Sequence, residues 1–190
     1  MIVSLSLLRS YLGIVGSEFD TQLEQSAMAA QGMLETLCGR KFEQATYEES
    51  FRGLCDDPYF IRNFPASFPS LGSDFSSDFY IYVNGNFLES YDDFLLMDEF
   101  GELELVNRIF CDRMIHKIKY RGGFAVVPAE IKQAILEGAK ILFETSKNAG
   151  IASESMGDVS VSYLGGDAGT RLQTLPSWIN VSELYCVVRV

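Results

Sequence analysis

The sequence is poor in histidine, the residue that enzymes most often use for proton transfer. His116 is the only histidine among its 190 residues. A period-two pattern predicts a strand whose apolar side carries Met114, His116, Ile118 and Tyr120. With one histidine and no positioned partner, neither a Ser-His-Asp or Cys-His arrangement nor a multi-histidine metal site is predicted. His116 is therefore interpreted as a structural residue.

The cysteines are too scattered to indicate a metal site or a disulfide scaffold. The four are Cys38, Cys55, Cys111 and Cys186, and no two of them form a Cys-x-x-Cys pair. Zinc sites and small secreted scaffolds depend on characteristic cysteine spacings. We expect free, buried thiols in a reducing cytoplasm, with no metal and no cofactor.

Long apolar runs are missing as well. No run reaches the roughly 20 residues that a membrane-spanning helix needs, so no membrane partner is predicted. Residues 1–13 have no basic region ahead of their apolar residues and carry polar residues among them. This pattern predicts a helix there and no signal peptide.

Basic residues are few, with 15 Lys and Arg against 26 Asp and Glu and a formal net charge of −11. Residues 43–104 hold fourteen acids and two basic residues, Arg52 and Arg62, so their balance of −12 accounts for the whole excess of the chain. Stable phosphate binding needs clustered Lys and Arg. The chain is therefore not expected to hold nucleic acid tightly.

Neighbouring acids and glycines superficially resemble catalytic or phosphate-binding motifs. The adjacent acids are Asp56-Asp57, Asp92-Asp93 and Asp98-Glu99. Adjacent acids in loops are usually solvated charge, and a hydrolase or a divalent-cation site is a distant alternative. Gly122-Gly123 and Gly165-Gly166 lack the Lys-Ser/Thr of a P-loop and the Rossmann spacing, so both are interpreted as joints. No enzyme is predicted.

Three stretches carry the apolar periodicity of amphipathic helices. Residues 4–12 predict a short first helix, and Asp20 is predicted as the N-cap of a second helix that Gly39 ends. A third helix begins at Pro128 and continues to Lys147.

Small residues occupy the middle of the apolar stripe on the third helix. They are Ala134, Gly138 and Ala139, and they would let another helix approach closely. We favour packing within one chain, with a seam between subunits as the alternative.

Between residues 45 and 120 the pattern changes to period two. Asn84-Gly85 is the strongest hairpin signal, and a second hairpin is predicted to turn at residues 98–101. Residues 67–78 predict a loop, and residues 159–163 a short extended segment. After Gly165-Gly166, residues 177–190 form an apolar tail that could be a final helix or an extended arm.

These elements predict a single α+β domain over residues 1–190. Its bundle-like helical part consists of the N-terminal helices and the Pro128 helix, with an antiparallel β region inserted between them. The predicted parts are the N-terminal helices at 1–42, the β region at 43–121, the central helix at 128–148 and a C-terminal arm at 165–190.

Several stretches, in this order, resemble the head-to-tail connector, or adaptor, proteins of tailed bacteriophages. They are the Tyr-x-Gly-Gly-Phe motif at 120–124, the helix that begins at Pro128 and runs to residue 147, and the segment 150–163. The N-terminal helix pair, ending at residues 37–42, resembles the start of the same family.

This resemblance implies a structural virion protein located at the head-tail junction, after assembly in the host cytoplasm. It implies a homo-oligomeric ring, expected to contain twelve subunits, between the portal protein and the next tail or stopper protein. Identical head-to-tail contacts close such a ring. Double-stranded DNA would pass through it without specific binding. The acids of residues 43–104 could line the channel, where like charge keeps DNA from adhering, or they could face outward.

The resemblance also indicates where contacts with neighbours would lie, because related connectors embrace the portal with their C-terminal portion. The candidates are Trp178, Leu184 and Tyr185 for portal docking; Ala134, Gly138 and Ala139 for subunit packing; and Gly157, Asp158, Val159 and Tyr163 for facing a neighbour or the channel.

The rival interpretation is a β-rich carbohydrate-binding module with a helical support. It rests on the aromatic residues of the middle segment, although alternating aromatics are more typical of strand cores and cross-strand pairs. These residues are Phe75, Phe79, Tyr80, Tyr82, Phe87, Tyr91 and Phe94.

Overall fold

The protein is described here from a computed structural model. The structure describes residues 1–52, 59–67, 80–83, 86–87, 94–97, 101–105, 115–147, 153–156, 159–162 and 172–186. These residues form α-helices and antiparallel sheets, which confirms the predicted α+β class. The chain divides into a helical unit, Met1–Gly39 with Val127–Val190, and a β unit, Arg40–Val126, which is inserted in the sequence between the two helical parts. That the whole chain is one domain stays a prediction.

Four helices are described in the helical unit. They are α1 (Leu5–Leu12), α2 (Asp20–Cys38), α3 (Ala129–Lys147) and α4 (Pro176–Tyr185). Helices α2 and α3 pack against each other, and α1 and α4 each contact both. The predicted helices are confirmed, and the first residues of the apolar tail are a helix and not an extended arm. None of the described helices combines the length and apolarity that crossing a bilayer requires.

The two ends of α2 show one prediction confirmed and one wrong. Gly39 adopts a left-handed φ of 69° and ends the helix, as expected. Asp20, however, is the first helical residue and not the N-cap, a position that Phe19 occupies without a side-chain hydrogen bond. The carboxylate of Asp20 instead accepts hydrogen bonds from Arg9, whose Nε lies 2.8 Å from Oδ1. Because Arg9 engages it, this carboxylate serves to join α1 to α2.

The β unit is built on β8 (Ile115–Gly122), which pairs along its whole length with β1 (Ala45–Arg52). On its other side β8 pairs with β4 (Tyr80–Val83), which continues to β5 (Asn86–Phe87), and β3 (Ala66–Ser67) also pairs with β8. A second sheet has the order β2 (Tyr59–Phe60), β7 (Glu102–Leu105), β6 (Phe94–Met97). All of these pairs are antiparallel.

The alternation predicted for β8 is confirmed. His116, Ile118 and Tyr120 are fully buried, whereas Lys117 and Arg121 are exposed. His116 therefore lies on the apolar face, with its ring centroid 5.4 Å from that of Phe51. A substituted Cβ at the last strand residue, Gly122, would lie 2.1 Å from the carbonyl oxygen of Asn63, so only glycine fits there.

Both predicted hairpins are confirmed by strand pairing. Val83 lies opposite Asn86, and Met97 lies opposite Glu102. A further hairpin joins β9 (Ser153–Met156) to β10 (Val159–Ser162), with Met156 opposite Val159. The sequence predicted only the second of these strands, although Gly-Asp between two short segments is itself a hairpin signal. The predicted loop at 67–78 lies outside the described residues except for Ser67.

Candidate functional site

The small residues of α3 pack against Trp178 of the same chain. Trp178 is 2% exposed, and its indole Nε1 donates a hydrogen bond to the carbonyl oxygen of Ala134 at 2.9 Å. A Cβ added to Gly138 would lie 2.8 Å from the Trp178 ring and 3.2 Å from Cβ of Ala30 on α2. Ala139 is fully buried beside them. In the described structure these residues therefore take part in helix packing within one chain, and a role in subunit packing stays a prediction.

The contacts of α4 decide between the helix and the extended arm that the sequence left open for the described part of the tail, residues 177–186. Helix α4, which begins at Pro176, packs on α2 and α3. Ser177 donates a hydrogen bond to Glu137 of α3, and at the other end of α4 the Cys186 Sγ lies 3.6 Å from the carbonyl oxygen of Leu37. Buried Trp178 is thus a core residue in this arrangement. A portal-docking role for it stays a prediction, and it would need α4 to move away.

The remaining docking candidates lie on or near the outer side of α4. Leu184 is 60% exposed and Ile179 is 44% exposed, whereas Tyr185 is half-buried. The part of an apolar side chain that stays in water adds nothing to the stability of the isolated subunit. Leu184 is therefore the docking candidate that the structure leaves most accessible.

Of the candidates for facing a neighbour or the channel, Val159 is the first residue of β10. Gly157, Asp158 and Tyr163 lie outside the described residues. Their role stays a prediction.

The β unit contains a polar cluster around Glu49, which we call the Glu49 cluster. Its carboxylate accepts hydrogen bonds from the hydroxyl groups of Tyr120 and Tyr59, the latter at 2.6 Å. The backbone N–H of Arg62 donates to it at 3.2 Å. The backbone N–H of Asn63 donates in turn to the Tyr120 hydroxyl at 3.0 Å. The cluster thereby fastens residues 59–63 to β1 and β8.

The two tyrosines of this cluster hold their protons strongly. Burial, followed by the negative charge of the Glu49 carboxylate and the hydrogen bond to it, raises the pKa of both Tyr59 and Tyr120 well above the usual range. Ionised tyrosine would place a second anion beside Glu49. The cluster is therefore a set of neutral donors around one carboxylate, which suits fixing a segment in place.

The Glu49 cluster was missed at the sequence level, although β1 carries a signal for it. Tyr47, Glu49 and Phe51 occupy the same side of the strand, and all three are partly buried. An acid within an apolar alternation indicates a buried partner. Its partners, however, lie up to 71 residues away in sequence.

Arg40, at the entry to the β unit, is enclosed by aromatic rings. Its guanidinium carbon lies 3.8 Å from the ring centroid of Phe64 and 5.2 Å from that of Phe124, and the residue is 3% exposed. Stacking on aromatic faces stabilises a guanidinium at such a site. Arg40 therefore helps to anchor the start of the β unit.

Few of the acids of residues 43–104 can be placed on a face. Glu48 is exposed, whereas Glu43, Glu49 and Glu102 are partly buried. The adjacent acid pairs lie outside the residues with described side chains, and so do the aromatic residues on which a carbohydrate site was considered. Among the described residues, no group of three or more His, Cys, Asp or Glu side chains is placed to hold a metal ion.

The whole chain matches solved chains of gene transfer agent particles in fold. One lies in a structure described as "Virion of native gene transfer agent (GTA) particle", with a TM-score of 0.59 and 13% identity. Another lies in "Neck of empty GTA particle computed with C6 symmetry", with a TM-score of 0.58 and 14% identity. Each alignment covers 100% of this chain and 91% of that chain. At this identity the likeness shows a shared fold.

No family model and no curated protein matches the sequence.

Proposed function

We propose that this protein is a structural component of a phage-like particle, where a ring of its subunits joins the portal to the tail and lets DNA pass. The observation that carries the proposal is the full-length fold likeness to chains of gene transfer agent structures, one of them a neck. The resemblance of residues 120–163 to head-to-tail connectors supports the same position independently, because it rests on sequence order alone.

The proposed ring contains twelve copies, the number that the connector resemblance implies. Twelve is a multiple of six, so this number is compatible with the C6 symmetry used for the neck structure. A ring of this kind closes through one repeated head-to-tail contact. The next tail or stopper protein would occupy the face opposite the portal.

Portal docking is assigned to the outer side of α4, with Leu184 as its main contact. Trp178 contributes indirectly, because its packing on α3 holds α4 in position. The protein is proposed to act by docking and not by catalysis.

Native mass spectrometry of the purified protein, alone and with the portal protein of the same genome, tests the proposal. We expect a ring of about twelve copies, or a monomer that joins the portal at matching copy number. A monomer that stays indifferent to the portal at every ratio would contradict the proposed function.

A further inference from the structure

The outward side of β8 carries three cations in a row. Lys117, Lys119 and Arg121 alternate with the buried residues of the strand, and Lys117 and Arg121 are exposed while Lys119 is partly exposed. Alternate residues of an antiparallel strand lie about 7 Å apart on one face. We call these three residues the β8 cationic face.

The paired strand adds hydroxyl groups to this face. In the register of β1 with β8, Ser50 lies opposite Lys117 and Thr46 opposite Arg121, and both are exposed. Glu48, also exposed, lies opposite Lys119. Among the described groups of these two strands, three cations and two hydroxyls thus lie around one carboxylate, so positive charge predominates among them.

This set of groups fits phosphate. Lysine, arginine, serine and threonine side chains supply most of the contacts that proteins make to the phosphates of nucleic acid, and such contacts carry no sequence information. We propose that the β8 cationic face contacts the phosphodiester backbone of double-stranded DNA. The source of the DNA rests on the proposed function, in which DNA passes the assembled subunits.

The expected affinity is low enough for DNA to move past the protein and not be held by it. Three neutralised phosphates give a slope of about −2.7 for the logarithm of the affinity against the logarithm of salt concentration. Affinity should therefore fall about 40-fold between about 50 and 200 mM NaCl. The net charge of −11 opposes binding at long range, so the contact is weak and local.

The test measures binding of the full chain to a fluorescent duplex of about 15 base pairs across a salt series, by fluorescence anisotropy. The test variant is Lys117→Gln/Lys119→Gln/Arg121→Gln. The matched control is Lys132→Gln/Lys140→Gln/Lys147→Gln on α3. Each variant removes three positive charges, so both change the formal net charge from −11 to −14. Circular dichroism melting shows whether each variant is folded.

We expect the wild type to show the slope given above, the β8 variant to lose binding and salt dependence, and the α3 variant to keep both. Equal losses in the two variants would overturn the proposal, because net charge alone would explain them. Absence of wild-type binding at the lowest salt concentration would overturn it as well.

A variant that is expected to bind DNA more tightly separates the proposed contact from a loss of binding caused by misfolding. Glu48→Gln removes the carboxylate opposite Lys119 and should tighten DNA binding several-fold at low salt. Unchanged or weaker binding by folded Glu48→Gln would count against the proposal.

Native mass spectrometry of the same variants separates this proposal from the proposed function. If the β8 variant loses ring formation but binds DNA as the wild type does, the face contacts a neighbouring copy and the DNA proposal is wrong. If ring and portal binding persist and DNA binding is absent in the wild type, the DNA proposal fails and the proposed function stands.

Discussion

At the scale of single residues, Gly138 lies against the indole ring of Trp178, with no room for a further methyl group. Gly138→Ala should lower the free energy of unfolding by about 1 to 3 kcal/mol, because the added methyl group meets the indole ring and Ala30. Equilibrium urea unfolding checks this.

Gly32→Ala on α2 is the matched control, since a Cβ there has no neighbour within 4 Å. It should raise the free energy of unfolding by about 0.5 to 1 kcal/mol. The same sign of change in both variants would show that the contact with Trp178 does not control the effect.

Glu49 is the residue on which the polar contacts of the β unit converge. Glu49→Gln should lower the free energy of unfolding by about 2 kcal/mol, because an amide group cannot accept from all the donors that the carboxylate serves. Glu48→Gln on the exposed side of the same strand should change it by less than about 0.5 kcal/mol. Urea unfolding of the two variants would contradict this account if the losses were equal.

The raised pKa values of Tyr59 and Tyr120 predict a loss of stability in alkaline solution. In the folded protein these hydroxyls keep their protons beyond pH 10, where unfolded tyrosine begins to ionise. Their contribution is therefore fully present below about pH 10 and is lost as the pH rises above it. Unfolding measured between about pH 8 and 11 should show a shallower alkaline loss for Tyr120→Phe than for the wild type.

Tyr11→Phe, which changes a tyrosine outside the Glu49 cluster, serves as the control for the loss of a hydroxyl group. Identical pH dependence in the wild type and Tyr120→Phe would contradict the stated cause.

At the scale of elements, local signals were sufficient where neighbours in sequence determine the structure. The helical period, the glycine stop at Gly39, the alternation of β8 and both predicted hairpins depend on residues close in sequence. The N-cap role of Asp20 failed because Arg9, eleven residues earlier, engages its carboxylate. The Glu49 cluster could not be predicted as a set, because its members come from separate segments brought together by strand pairing.

Helix α4 shows why an apolar tail is ambiguous in sequence. Trp178 and Val181 are buried while Ile179 and Leu184 are exposed, so the helix presents apolar residues on two sides. Only the inner set is explained by packing within the chain. The outer set, Ile179 and Leu184, belongs to the surface that we propose contacts the portal.

A pair of substitutions in α4 should separate these two roles. Leu184→Ser should weaken portal binding at least tenfold while changing the melting temperature little, because its side chain lies largely in water in the isolated subunit. Trp178→Ala should lower the free energy of unfolding by about 3 to 5 kcal/mol. Portal pull-down with thermal melting of the same samples checks both. Full portal binding by Leu184→Ser would remove that residue from the docking surface.

At the scale of the whole molecule, the charge distribution raises a question that local patterns do not answer. The acid-rich segment and the β8 cationic face belong to one β unit, and their placement relative to a channel depends on the assembled ring. The axis of the proposed ring could not be predicted from the sequence, since symmetry contacts leave no fixed period in one chain. That the acids line the channel stays a prediction.

Electron cryo-microscopy of this protein bound to the portal protein of its own genome tests the central claim most directly. We predict a closed ring on the tail-facing side of the portal, with the outer side of α4 against the portal and an open channel along the axis. Acids of residues 43–104 on the outer wall would refute the lining prediction alone. A portal whose tail-facing side carries no ring of this protein would contradict the account as a whole.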